Sequence, residues 1–204
     1  MRLTPVFLLS ATDVAHFPSR AKTAGAPEVA FLGRSNVGKS SLINALLGSR
    51  EAKVSSTPGR TRAINFFALY EGVGERRKAT PSLVFADLPG YGYAKVSKSV
   101  SAEWAGFIEP YLQERETLAL GICLVDTNIP PQPSDTQMID FFRGSGKPFV
   151  VVGTKSDRLS GNGLVKSMAA LRRAHGVEDV LAISAKTDAG IKSLWARLLA
   201  VASE

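Results

Sequence analysis

A chain of 204 residues, 45% of them hydrophobic, is long enough for one sizeable core and too short for more than two small domains. A single cysteine excludes an internal disulfide and a cysteine-based metal centre, and His16 and His175 stand too far apart in sequence to offer a ligand spacing. The 25 Lys and Arg against 18 Asp and Glu leave a formal charge of +7, which suits a polyanionic partner such as RNA, and no apolar stretch is long enough to be a membrane span.

In chain order, residues 1–27 read as an N-terminal extension packed on one domain covering 28–204. Pro5, His16 and Pro18 fall where a secretory leader needs an unbroken apolar run, so a cytoplasmic protein is expected. Val29-Ala30-Phe31-Leu32 reads as a short buried strand. It is followed by Gly33-Arg34-Ser35-Asn36-Val37-Gly38-Lys39-Ser40, which fits G-x-x-x-x-G-K-[ST]. The run from Leu42 to Leu47 then reads as a helix ending at Gly48. Strand, glycine-bounded loop and helix N-terminus together make a phosphate cradle: the backbone curls its N–H groups inward and the helix adds partial positive charge behind them. Lys39 is predicted to reach the β- and γ-phosphates, and the Ser40 hydroxyl to ligate Mg²⁺.

Strand-like stretches recur at 28–32, 63–71, 82–87, 119–126, 149–154 and 180–184, alternating with helical ones. Several are continuous Val, Leu, Ile and Phe runs, as expected where both faces are covered. The pattern predicts an α/β fold: a mostly parallel six-stranded sheet with helices on both faces. Residues 72–78 are short, polar and glycine-rich, so the strands they join form a hairpin, giving one antiparallel edge strand. Trp104, Phe107, Ile108, Tyr111 and Leu112 mark one amphipathic helix, with a kink or early break expected at Pro110. Ile191, Leu194, Trp195, Leu198 and Leu199 mark another, and Ser101 and Ser134 stand where N-caps belong. Cys123, inside an apolar run, reads as a buried core thiol.

The remaining candidates lie at strand ends. Asp87-Leu88-Pro89-Gly90 follows an apolar strand; its carboxylate can hold Mg²⁺ through water, and the Gly90 N–H can bind a γ-phosphate. Thr154-Lys155-Ser156-Asp157 follows the next apolar run but one. A carboxylate at Asp157 can accept hydrogen bonds from guanine N1–H and N2–H₂, two donors that adenine lacks, while the Lys155 stem covers the base. Ser184-Ala185-Lys186 offers a backbone N–H to guanine O6. Between the first helix and the second strand, Thr57 or Thr61 can close over Mg²⁺ when a γ-phosphate is present; sequence physics does not choose between them.

Taken together, Gly33–Ser40 with Ser41-Leu42-Ile43-Asn44, then Thr57-Pro58-Gly59-Arg60-Thr61, then Asp87-Leu88-Pro89-Gly90-Tyr91-Gly92-Tyr93-Ala94 and Thr154-Lys155-Ser156-Asp157, resemble the EngB family of bacterial GTPases, also called YihA or YsxC. The Tyr-Gly-Tyr-Ala continuation is the most discriminating piece. The resemblance implies a P-loop, Ras-like GTPase domain that binds GTP and GDP with Mg²⁺ and acts on precursors of the large ribosomal subunit, a task tied to cell division and septation. A monomer is expected separately, since nothing in the sequence demands more. The resemblance selects Thr61 over Thr57 as the switch threonine, beside Ser40 and Asp87 on the metal, and extends the nucleotide contacts to Ser41, Gly59 and Arg60. It makes Thr154 a replacement for the Asn of N-K-x-D. The family also leads one to expect an Arg shortly after Asp126, where this chain reads Thr127-Asn128-Ile129-Pro130-Pro131.

Many GTPases orient the attacking water with a glutamine just after D-x-x-G; Tyr91 has no amide to do so. Slow intrinsic turnover is therefore expected, with Lys39, Thr61 and Gly90 the groups nearest the chemistry. Asn36 matches the P-loop asparagine of related GTPases in which K⁺ fills the arginine-finger role. Arg60 and Arg62, Arg76-Arg77-Lys78, and Lys95 with Lys98 are candidate rRNA phosphate contacts. A nucleotide-gated binding module for a division or membrane-associated protein, with incidental hydrolysis, is the alternative.

Overall fold

Apolar strands buried on both faces need a helix layer on each side, and the sheet here has both. The structure, a computed structural model, describes residues 3–48, 63–91 and 98–202, with backbone alone over 98–105. The chain begins with β1 (Leu3–Ala11), then a short helix α1 (Arg20–Thr23), β2 (Glu28–Gly33) and α2 (Lys39–Leu47). Next come β3 (Ile64–Glu71), β4 (Leu83–Asp87), α3 (Lys98–Glu114), β5 (Leu118–Asp126) and α4 (Pro133–Ser145). It closes with β6 (Phe149–Thr154), α5 (Gly161–His175), β7 (Leu181–Ala182) and α6 (Ile191–Val201).

The sheet order is β1-β3-β4-β2-β5-β6-β7. It has seven strands where the sequence predicts six. β3 and β4 form the expected antiparallel hairpin, but β1 pairs antiparallel with β3 and becomes the edge in its place. The other four pairings are parallel. Pro5 hides β1 in the sequence, since proline argues against a central strand; at an edge, where one side needs no donor, it fits opposite Leu69. The chain leaves central β2 for β3 and β4 on one side and crosses to β5 on the other. A crevice therefore opens at the C-terminal ends of β2 and β5, where α/β sheets bind ligands.

Alternation along each strand sorts the core into two layers. Ala30, Leu32, Val84, Ala86, Cys123 and Val125 meet Ile108, Tyr111 and Leu112 of α3 and Met138, Ile139 and Phe142 of α4. Val29, Phe31, Phe85, Ile122 and Leu124 meet Leu42, Ile43 and Leu46 of α2 and Leu194 and Leu198 of α6. Burial pushes the Cys123 thiol far above its usual range, consistent with a core role. α3 runs through Pro110 without a break. The carbonyl that loses its donor is that of exposed Gly106, which water can satisfy. Ser134 lies inside α4, which Gln132 and Pro133 begin, and Ser101 lies inside α3. Proline at the first helical position outweighs the serine signal.

One polar cluster crosses the core. Glu28 is 0% exposed. Its carboxylate accepts from Tyr111 Oη at 2.9 Å, Thr117 Oγ1 at 2.9 Å and the Arg115 guanidinium. Arg115 Nη2 also donates to Pro18 O at 2.7 Å, and its charge sits over the Phe17 ring.

Candidate functional site

The loop from Gly33 to Gly38 carries the chain from β2 into α2. A Cβ at Gly33 would lie 2.7 Å from Val37 Cγ1 and 3.0 Å from Leu124 Cβ, so only glycine lets the loop close against β5. Asn36 (φ 64°) and Gly38 (φ 106°) are left-handed and curl the backbone. α2 then starts at Lys39 with no side chain capping it. The first-turn amides of Lys39, Ser40 and Ser41 are therefore presented with the positive end of the helix dipole, which is an anion site in the making.

The Lys39 ammonium pairs with the Asp87 carboxylate at the end of β4, the two side chains being 12% and 7% exposed. Ser40 and Asp87 are hard oxygen donors. Among the described residues, no three His, Cys, Asp or Glu cluster into a metal cage. That sparse set fits Mg²⁺, which keeps several waters and shares phosphate oxygens rather than filling an all-protein shell. Beyond β4 the chain stays in register with the loop: Leu88 N donates to Phe31 O at 3.2 Å and Tyr91 N to Gly33 O at 3.3 Å. Leu88 is buried, Pro89 half-buried, and Gly90 exposed at the mouth of the loop.

The second half of the site is tied to the first by side chains from β6. Thr154 Oγ1 donates to Val37 O at 2.6 Å, so this hydroxyl binds the base-side strand to the phosphate loop. Lys155 (φ 59°) donates to Asn36 O at 2.7 Å and Asp126 Oδ2 at 2.6 Å. Burial alone would raise the Asp126 carboxyl, but Lys155 and Asn128 outweigh it and pull it below the usual range. Asn128 in turn donates to Lys155 O at 3.0 Å. Ser156 is buried, its N–H bonded to Ile183 O at 3.1 Å. Asp157 is exposed, and the Ser184 hydroxyl donating to it at 2.6 Å lowers its pKa. Ser184 Oγ also accepts from the Lys186 and Thr187 amides at 3.2 Å, which folds the turn through Ala185 toward the carboxylate.

The structure thus gathers the candidates at 33–41, 87–90, 154–157 and 184–186 along one end of the sheet. Gly59, Arg60 and Thr61, with Thr57, lie outside the described residues. Asp126, Asn128 and Asp135 had no assigned role in the sequence. Asp126 ends a strand, as Asp87 does, and that position was the available signal. Asp135, 3% exposed in the first turn of α4, accepts from Tyr91 Oη at 3.2 Å. Burial pushes its carboxyl up to about 6, and burial beside that carboxylate pushes the Tyr91 phenol up too. A cleft of about 210 Å³ opens here, lined by Arg34, Ser35, Asn36, Val37, Asp126, Ile129, Asp135 and Lys155.

An amide cradle at a helix start, facing a carboxylate at a strand tip two crossovers away, is the architecture of a P-loop GTPase. Residues 28–155 match the family described as 50S ribosome-binding GTPase. The chain is 61% identical over 204 residues to "Probable GTP-binding protein EngB" of Acidobacterium capsulatum, covering 100% of this chain and 93% of that one. It is 53% identical to the protein of the same name from Koribacter versatilis, covering 99% of this chain and 96% of that one. "Crystal structure of a probable GTP-binding protein engB" superposes with a TM-score of 0.66 at 24% identity, covering 86% of this chain and 98% of that one, a likeness of fold. The chain belongs to the EngB family of GTP-binding proteins.

Proposed function

We propose that this protein is a GTP-driven switch with slow intrinsic hydrolysis, working in the cytoplasm on large-subunit ribosomal precursors and needed for normal septation. Residues 28–204 would form the GTP-binding domain, with 1–27 as an extension packed on it. The observation that carries the reading is the joining of the two half-sites: Thr154 and Lys155 tie the base-side turn to Val37 and Asn36 of the phosphate loop. A nucleotide bridging these halves would have its triphosphate on the 33–41 amides and Lys39. Its guanine edge would lie on Asp157, with the Lys155 stem over the base and the 184–186 turn near O6. Ser40, Thr61 and Asp87, the last through water, are the groups we assign to Mg²⁺, which when bound neutralises phosphate-oxygen charge. Gly90 N–H would read the γ-phosphate.

Tyr91 stands where a water-orienting glutamine is common, which supports slow turnover. We assign a K⁺ site to Asn36, whose residue is exposed at the loop. GTP hydrolysis should then be faster in KCl than in NaCl at equal ionic strength, and equal rates would remove the assignment.

For the partner, the family description names the 50S ribosome. Arg76 and Arg77 are exposed, Arg77 lying over the Tyr70 ring, while Lys78 is partly neutralised by Glu71 at 2.6 Å. Arg60, Arg62, Lys95 and the Lys98 side chain lie outside the described residues. Among the described residues no helix is long and apolar enough to cross a membrane. Sedimentation with ribosomal particles tests the proposal. The protein should travel with the large-subunit fraction in a GTP analogue, dissociate in GDP, and dissociate steeply as salt rises. Binding that ignores both nucleotide and salt would overturn it.

A further inference from the structure

Tyr91 is bound to the rest of the site at three points. Its N–H donates to Gly33 O at 3.3 Å, its carbonyl accepts from Ser35 N at 3.1 Å, and its hydroxyl donates to Asp135 Oδ1 at 3.2 Å. The first two extend the parallel pairing of β2 and β4 past the end of the sheet, bridging Arg34 and Tyr91. The third fastens the same residue to α4, 44 positions away in sequence. Gly90 is pressed between these anchors. A Cβ there would fall 2.9 Å from Ser35 Oγ and 3.1 Å from Ser35 N, so position 90 lies too close to the phosphate loop for any side chain. Among the described residues no acceptor is bonded to the Gly90 N–H, and Gly90 is exposed at the mouth of the loop.

Asp135 is an odd residue to bury for stability alone. Taking a carboxylate out of water is unfavourable, and here it is met by a phenol at 3.2 Å and by the charge of Arg34, whose buried Nε has no partner among the described residues. Such a group has a physical rationale if what it holds must stay in place. What it holds is the residue following the γ-phosphate sensor.

We infer that Asp135 is a positioning residue: by fixing the Tyr91 hydroxyl to α4, it keeps the Gly90 amide against the phosphate loop, where a terminal phosphate is read. The inference rests on the GTP-switch reading above. A triphosphate presents a γ-oxygen to that amide and a diphosphate does not, so the clamp should favour one ligand over the other. A side chain shifts such a preference only by contributing different free energy to the two bound states, and a contact made by one ligand alone does so.

The test is calorimetry on the full-length protein with Mg²⁺ and either a non-hydrolysable GTP analogue or GDP. Tyr91→Phe removes only the hydroxyl, and Asp135→Ala removes its acceptor. Each should weaken the analogue roughly tenfold, about one hydrogen bond, and leave GDP within roughly twofold. Asp135→Asn keeps an acceptor oxygen and should restore most of the difference. The Tyr91→Phe, Asp135→Ala double variant should be no weaker than either single one. Equal loss for both nucleotides would show a structural role and overturn the inference, as would unchanged affinity for the analogue, or additive losses in the double variant. Failure of the unaltered protein to bind either nucleotide would instead overturn the GTP reading on which the inference stands.

Discussion

Asp157→Asn is expected to weaken GDP and GTP binding roughly 100- to 1000-fold without disturbing the fold. The carboxylate is exposed at the turn after β6, and its Oδ1 accepts from Ser184 Oγ at 2.6 Å. Asparagine preserves that acceptor, so the 184–187 turn keeps its shape. What changes is the edge offered to the base. A carboxylate accepts from two guanine donors at once, whereas asparagine sets an N–H₂ against one of them. Two charge-assisted bonds are then replaced by one neutral bond and one repulsive pair, and losses of about 1.5–3 kcal/mol per charged bond give the stated range. Xanthosine diphosphate has a carbonyl where guanine has its amino group, and it should gain on GDP in the same variant. Calorimetry with GDP, XDP and ADP measures all three. A variant that still prefers GDP by its original margin would show that Asp157 does not read the base.

The motifs that carry this prediction were legible because their chemistry is local. A glycine-bounded loop before an apolar helix, or an aspartate closing an apolar strand, declares its geometry within a few residues. The six apolar strands were legible for the same reason. β1 was not, because Pro5 and the lack of alternation in Leu3–Ala11 remove both strand signals, and only pairing with β3 restores them. The links between half-sites were hidden by distance. Nothing near Thr154 announces that its hydroxyl will reach Val37, 117 positions earlier, and nothing near Lys155 says that its ammonium is held by Asn36 O and Asp126. Asp135 was hidden by its setting. An acidic residue in the first turn of an amphipathic helix ordinarily faces water and the helix dipole. Its burial becomes visible only when Tyr91 and Arg34 are brought over it.

Arg115→Ala should be the most destabilising single change outside the nucleotide site, by about 3–5 kcal/mol, the usual penalty for stranding a buried charge. Glu28 opens the central strand β2 and is wholly buried. Without Arg115 its carboxylate keeps, among the described residues, the donors Tyr111 Oη and Thr117 Oγ1, and it loses the cation paired with it. The variant also loses the donor to Pro18 O and the cation over Phe17, whose ring packs on Phe107 and Tyr111. The segment joining β1 to β2 should therefore loosen with the core. For a chain of this size the thermal midpoint should fall by roughly 10 °C. Glu28→Gln with Arg115→Met removes both charges and should recover most of that loss, which separates a stranded charge from a simple packing defect. Denaturant melts of the three proteins decide the matter. A single variant that melts with the unaltered protein would mean that water or a neighbouring group satisfies Glu28 once the guanidinium is gone.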